Sequence, residues 1–366
     1  MIKHSDMSRK VIRRPLLNYS NFCTPPEAEV LQTILDAVTQ LYPSLRSPVK
    51  ILGKGAYGLV VLFDSNVVVK FMIIPSNRYN ALGKSTGVKK MIKNEQKLQN
   101  MFVDHSLAPV IRDTIIDIHH NFENNDTYVY GIIMDPIQMT LDQAIHSLDC
   151  NDISKTQKFL CFFIESFIGS VLPTMIKNKL IHGDMHTGNV ALSEPPSYTG
   201  LESIDMTLID FGMSRVAITG AENFVDLIPL LGNLNYTYQN VILERSLDIF
   251  HAVLIDTLVK AANTMFNIRL NTENIRPGPR GGFEYLCKSR TRPNLRLYSH
   301  SAKKFYLLYM ESQYFEGFEH MSGPTSQTMR DALKEAKVNC LEFTTKLRQF
   351  PARSYARSKP IDICKK

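Results

Sequence analysis

None of the six cysteines is spaced as CxxC or CxxH. The chain therefore offers no local zinc or dithiol motif, and its thiols are expected to be reduced and structural. No run is both apolar and long enough to suggest a membrane span. The most apolar segment, residues 159–171, is interrupted by Glu165 and falls short of the roughly 20 residues a bilayer requires. The basic opening MIKHSDMSRKVIRR is followed by no apolar signal core. These absences predict an intracellular protein, in cytoplasm or nucleus, with no membrane partner. What is present fits a folded chain: 366 residues, 44% hydrophobic and 21% charged, enough for one large core or two lobes of ordinary size.

The formal charge of +7 is unevenly spread. Arg276, Arg280, Lys288, Arg290, Arg292, Arg296, Lys303 and Lys304 share a stretch whose only acid is Glu284. A solvated face accounts for this stretch without a partner; an acidic protein, a phosphorylated surface or nucleic acid is the alternative. No nucleic-acid-binding motif accompanies it, so contact with nucleic acid is expected to be non-specific at most.

The chemistry concentrates in HGDMHTGN, residues 182–189, and in Asp210-Phe211-Gly212 at the end of an apolar run. Metal-assisted phosphoryl transfer needs a carboxylate at the attacking hydroxyl and oxygen ligands for magnesium beside the nucleotide phosphates. Asp184 fits the first role, and Asn189 with Asp210 the second. Val190–Leu192 and Met206–Ile209 read as two short strands. A hairpin between them would bring Asn189 and Asp210 to one edge, facing Asp184.

Upstream, a helix is expected over Glu27–Leu41, then strands and tight turns. Gly53-Lys54-Gly55-Ala56-Tyr57-Gly58 lies between two apolar strands, the second carrying Val60, so backbone N–H groups there would close over phosphates. The strand–turn–strand context argues against a dinucleotide-binding unit, whose last glycine opens a helix. Lys70 ends a β-branched run, from which its ammonium would reach the α and β phosphates. Residues 88–102 predict an amphipathic helix with Met91, Glu95, Leu98 and Phe102 on one face. A carboxylate on such a face needs a buried partner, and Lys70 is the one expected for Glu95. Residues 128–134 read as a strand whose end, near Met134, would read the adenine edge. A short helix follows over residues 140–148, and a long one over 154–177 capped by Ser154.

These motifs resemble the eukaryotic-like protein kinase superfamily over residues 48–262, and within it the divergent serine/threonine kinases of large double-stranded DNA viruses. The lack of tryptophan is compatible with that origin. The resemblance implies an α+β, bilobal fold: an extension over 1–45, a β-rich lobe over 46–134, a helical lobe over 135–350 and a basic tail over 351–366. It implies ATP and Mg2+ as cofactors. Gly53, Gly55 and Gly58 match the glycine loop, Lys70 the nucleotide lysine and Glu95 its helix carboxylate. Asp184 matches the catalytic-loop base, Asn189 and Asp210 the metal ligands, and Asp248 a buried aspartate that braces the catalytic loop. It also implies a protein substrate, acidic or viral, in host cytoplasm or nucleus; nothing in the sequence sets the oligomeric state.

Three departures bear on the substrate. Gly183 replaces the arginine of most regulated protein kinases, His186 replaces a lysine, and no Ala-Pro-Glu follows Asp210, so residues 230–245 must close the segment differently. The second and third favour a small-molecule kinase as an alternative. A nucleotide-binding scaffold without turnover is a third reading, opposed by the complete set of phosphate and metal groups. Helices are expected over residues 328–350.

Overall fold

A computed structural model describes residues 25–54, 58–75, 85–122, 125–149, 152–193, 205–217, 223–241, 247–266, 268–277, 283–289, 292–298 and 306–309. The glycine-loop tip Gly55–Tyr57, the helices expected over 328–350 and the basic tail lie outside them. The chain divides into two compact units, Met1–Lys93 with Val110–Pro136, and Asn94–Pro109 with Ile137–Lys366.

The first unit begins with helix α1 (Pro25–Leu41), then strands β1 (Pro48–Lys54), β2 (Gly58–Phe63) and β3 (Val67–Pro75). Helix α2 (Ser85–Val103) continues into the second unit, and β4 (Ile111–Phe122) and β5 (Asn125–Met134) complete the first. The strands form one sheet in the order β1-β2-β3-β5-β4. Alternation assigns its faces. Leu59, Val61, Phe63, Val69, Phe71 and Val129 pack with Leu31, Ile34, Leu35 and Val38 of α1. From the opposite face Ile74, Tyr130 and Ile132 pack with Ile92 of α2. Lys70 lies opposite both Val60 and Ile132 in the register, so these three share the latter face.

The buried face of α2 is set differently from the expectation. Met91 is 54% exposed, whereas Ile92, Glu95, Gln99 and Phe102 are buried. Their spacings of three, four and three follow one stripe, and Met91 lies just off it.

The second unit continues with β6 (Met139–Thr140), α3 (Leu141–Ser147), α4 (Ile153–Ser166), α5 (Leu172–Lys177), β7 (Leu180–Ile181), β8 (Val190–Leu192), β9 (Met206–Leu208), β10 (Arg215–Val216), α6 (Phe224–Val241) and α7 (Leu247–Met265). Thr140 and Gln143 cap α3 reciprocally, each side chain accepting the other's backbone N–H. The cap of α4 is Asp152, which accepts from Lys155 N at 3.0 Å, and not Ser154, which lies one residue inside. A π-helical turn over Phe167–Val171 joins α4 to α5. Glu165 therefore does not interrupt the helical run Ile153–Lys177, which is long and apolar enough by length and composition to cross a membrane. Here its apolar side chains, among them Phe159, Phe163, Phe167 and Leu172, belong to the unit's core. Cys161 is disulfide-bonded, against the expectation of reduced thiols.

The chain closes its described part with an antiparallel sheet of β11 (Ile275–Pro277), β12 (Phe283–Ser289), β13 (Arg292–Tyr298) and β14 (Tyr306–Tyr309). Glu284, the one acid of the basic stretch, is the register partner of both Arg276 and Arg296.

Gly58 illustrates how tightly the first sheet is drawn. A Cβ there would lie 2.2 Å from the Phe71 carbonyl oxygen, a contact only a backbone shift relieves. Gly58→Ala is expected to destabilise the protein by about 1–3 kcal/mol in denaturant unfolding. An unchanged midpoint would contradict this pairing of β2 with β3.

Candidate active site

The loop between β7 and β8 carries His182 to Asn189 and is built on an unusual turn. Gly183 has φ 83°, in the left-handed region where a side chain is disfavoured. This is a local reason for glycine where most regulated protein kinases carry arginine. At such a turn the backbone N–H groups of His182 and Gly183 have no strand to bond. Asp226, on the first turns of α6, accepts both: His182 N at 2.9 Å through Oδ2 and Gly183 N at 2.8 Å through Oδ1. Asp226 is fully buried. Burial pushes its carboxyl up to about 7, against the two backbone donors and the Arg215 guanidinium, which favour the ionised form.

His182 fixes the same turn from its side chain. It is fully buried, its Nε2–H donates to the Ile209 carbonyl at 2.9 Å, and its Nδ1 accepts from Asp184 N at 3.4 Å. One nitrogen donating and the other accepting defines a neutral imidazole. Burial pushes this histidine down to about 4. Its ring packs against Phe211, centroids 5.2 Å apart, and Phe211 packs against Phe102 at the end of α2, 4.7 Å away.

The hairpin expected from the sequence forms: Val190 pairs with Leu208, and Ile209 N–H donates to the Asn189 carbonyl at 3.0 Å. Asn189 therefore precedes one strand where Asp210 follows the other. Asn189 Nδ2 donates to the Asp184 carbonyl at 2.8 Å. Asp210 has φ 66°, a left-handed conformation that aspartate tolerates better than most residues. Glu95 stands beside the same turn: a Cβ on Gly212 would lie 3.7 Å from its Oε2. His186 Nδ1 accepts from Gly188 N at 3.1 Å, so the ring proton is on Nε2, which lies 4.0 Å from Asp184 Oδ2.

The second unit thus brings together Asp184, Asn189, Asp210 and Glu95. The first unit carries Gly53 and Lys54 at the end of β1, Gly58 and Val60 on β2, Lys70 on β3 and Met134 at the end of β5. Among the described residues, no group of three or more His, Cys, Asp or Glu side chains is disposed to hold a metal ion.

The aspartate that clasps the loop's backbone is Asp226. Asp248, on which the resemblance placed a bracing role, belongs to α7, and its side chain lies outside the described part. The connection from Asp210 to α6 is short, and α6 already begins at Phe224. Ser214 Oγ donates to the His182 carbonyl at 2.9 Å, Ala217 N to the Lys179 carbonyl at 2.7 Å, and Asn223 Nδ2 to the Leu180 carbonyl. Residues just after Asp210 are thereby stitched along β7 before α6 begins. The signal for Asp226 was a lone acid near the start of an apolar stretch, obscured because Pro229 and Gly232 make that stretch look unhelical.

Residues 137–236 match the model of a family described as the ABC1 atypical kinase-like domain. The matched stretch holds Asp184, Asn189, Asp210 and Asp226. A kinase-like domain is therefore present, and the α+β order of a β-sheet region followed by a helical region is that of the protein-kinase fold. A search of curated proteins finds no match.

Two outcomes are expected. Asp226→Ala strands two backbone donors and should cost about 2–5 kcal/mol in denaturant unfolding; a loss near zero would contradict the clasp. His182, lowered from 6.5 to about 4, contributes stability that is complete above pH 6.5 and lost as pH falls toward 4. Its imidazole, followed by NMR, should titrate well below 6.5, and a midpoint at or above 6.5 would contradict its burial as the neutral form.

Proposed function

We propose that this chain is an ATP- and Mg2+-dependent kinase that transfers the γ-phosphate to serine or threonine hydroxyls of a protein. The observation that carries the reading is the β8–β9 hairpin. It sets Asn189 and Asp210 at one strand edge, with Asn189 tied to the backbone of Asp184. The donor set fits magnesium, which prefers a few protein oxygens and completes its shell with phosphate and water. Asn189 Oδ1 and the Asp210 carboxylate are such oxygens, and two ligands suffice where phosphates supply the rest. When bound, the ion would neutralise charge on the phosphates during transfer.

The chain's own residues supply the remainder. Asp184 orients the acceptor hydroxyl and takes its proton as the new O–P bond forms and the bond to the ADP oxygen breaks; ADP and a phosphoester leave. His186 Nε2 stands 4.0 Å from Asp184 Oδ2, beyond direct hydrogen-bond reach. In this reading Gly53, Gly58, Val60, Lys70 and Met134 are the groups of the first unit that serve the nucleotide, and Glu95 is a carboxylate of the second. Positioning and electrostatics do most of the work, since the transition state is loose.

A second reading is favoured by one observation. Residues 214–217 and Asn223 are bonded along residues 179–182, which leaves a short segment on which to lay a peptide and suits a small hydroxylated acceptor. Incubation with γ-labelled ATP, a protein panel and a small-molecule panel separates the two: label on protein supports the first, and label confined to a metabolite replaces it by the second.

Asp184→Asn is expected to lower turnover by about 10²–10⁴-fold while nucleotide affinity changes little. Normal turnover in that variant would remove Asp184 from the chemistry.

A further inference from the structure

The loop is held at a second point, which neither Asp226 nor the metal pair explains. Thr187 is 1% exposed. Its N–H donates to Asn233 Oδ1 at 3.0 Å, and its hydroxyl lies within hydrogen-bond distance of that same oxygen and of Asp142 Oδ1, the latter at 3.1 Å. The Thr237 hydroxyl reaches the same Asp142 oxygen at 3.4 Å. On the other side of the carboxylate, Asp142 Oδ2 lies 3.6 Å from His146 Nδ1. A hydroxyl has one proton, so Thr187 donates to one acceptor at a time while its N–H keeps Asn233 engaged. The result is a polar node joining α3, the loop and α6.

Helical spacing explains why one helix does both jobs. Asn233 and Thr237 follow Asp226 by seven and eleven residues, close to two and three turns, so all three project from one side of α6. Asp226 holds the loop at His182 and Gly183; Asn233 holds it at Thr187. Asp184 lies between these grips. Asn189 lies two residues past the second and closes back on Asp184 through its Nδ2. A shift of Thr187 must therefore change the separation of the Asp184 carboxylate from the Asn189 amide.

We infer that Asn233 and Asp142 are positioning residues that act through Thr187 to set the spacing of Asp184 and Asn189 for phosphoryl transfer. The inference rests on the function proposed above. Nothing in the chemistry requires a buried hydroxyl at position 187; only the node does. Thr187→Val keeps the shape and removes the hydroxyl, Thr187→Ser keeps the hydroxyl, and Asn233→Leu removes the acceptor for the Thr187 amide.

The test combines turnover with hydrogen exchange of the peptide covering 184–189, each measured on the full chain with its unfolding midpoint. Thr187→Val and Asn233→Leu are expected to lower kcat by about 10–100-fold, the cost of a small misplacement of reacting groups. The same two variants should speed exchange of that peptide at an unfolding midpoint still well above the assay temperature. Thr187→Ser should restore both kcat and protection to within about threefold of wild type, given that the hydroxyl bond is kept. If Thr187→Val and Asn233→Leu keep wild-type kcat and protection, or if Thr187→Ser fails as badly as Thr187→Val, the inference is overturned. If wild type transfers no phosphate to any acceptor while the variants still lose protection, the node stands as the determinant of loop geometry and the proposed activity falls. Loss of activity without loss of protection overturns the positioning role.

Discussion

Two backbone N–H groups at a left-handed turn, those of His182 and Gly183, have no strand partner, and a single buried carboxylate answers both. Asp226 can do so only because α6 is buried along its length, with Leu227, Leu230, Leu231 and Leu234 in the same core. An orphan buried donor costs as much as several favourable contacts contribute, so the loop and the helix are bound to one another. From that clasp the other features follow. His182 is turned inward, neutral and packed against Phe211, which directly follows Asp210. Asp184 projects from a loop fixed on both sides.

Burial of titratable groups here serves geometry and not proton transfer. His182 and Asp226 are displaced in opposite directions by the same cause, removal from water. Each is held by bonds to backbone atoms of the loop or the hairpin. Asp184 and Asp210 are exposed instead, with the buried Asn189 between the two layers. A rigid buried layer beneath an exposed reactive layer is what charge positioning requires.

Much of this was legible in the chain because the signals were local. The apolar run 59–63 and the β-branched run ended by Lys70 gave β2 and the start of β3, and the apolar runs flanking Asn189 and Asp210 gave the β8–β9 hairpin. The stripe in 27–41 gave α1. What stayed hidden depended on partners distant in sequence. Asp226 and Asn233 sit in a stretch with Pro229, Gly232 and several asparagines, residues whose local preferences argue against the helix that tertiary packing enforces. Met91 and Ile92 differ by one position, and only the sheet that Ile92 packs against decides which of them is buried. The four-stranded sheet formed from Ile275 onward was masked by its charge: Arg276, Glu284 and Arg296 dominate the reading of a segment in whose register Phe283 pairs with Leu297 and Tyr285 with Leu295.

In the proposed kinase, Asn189 and Asp210 would form a divalent-ion site completed by nucleotide phosphates. Electron paramagnetic resonance of Mn2+ added to the full chain tests it most directly, with and without an ATP analogue that cannot be cleaved, and in wild type against Asp210→Asn. A bound-Mn2+ signal that needs both the nucleotide and Asp210 is expected. A signal indifferent to Asp210, or no bound Mn2+ at saturating nucleotide, would contradict it.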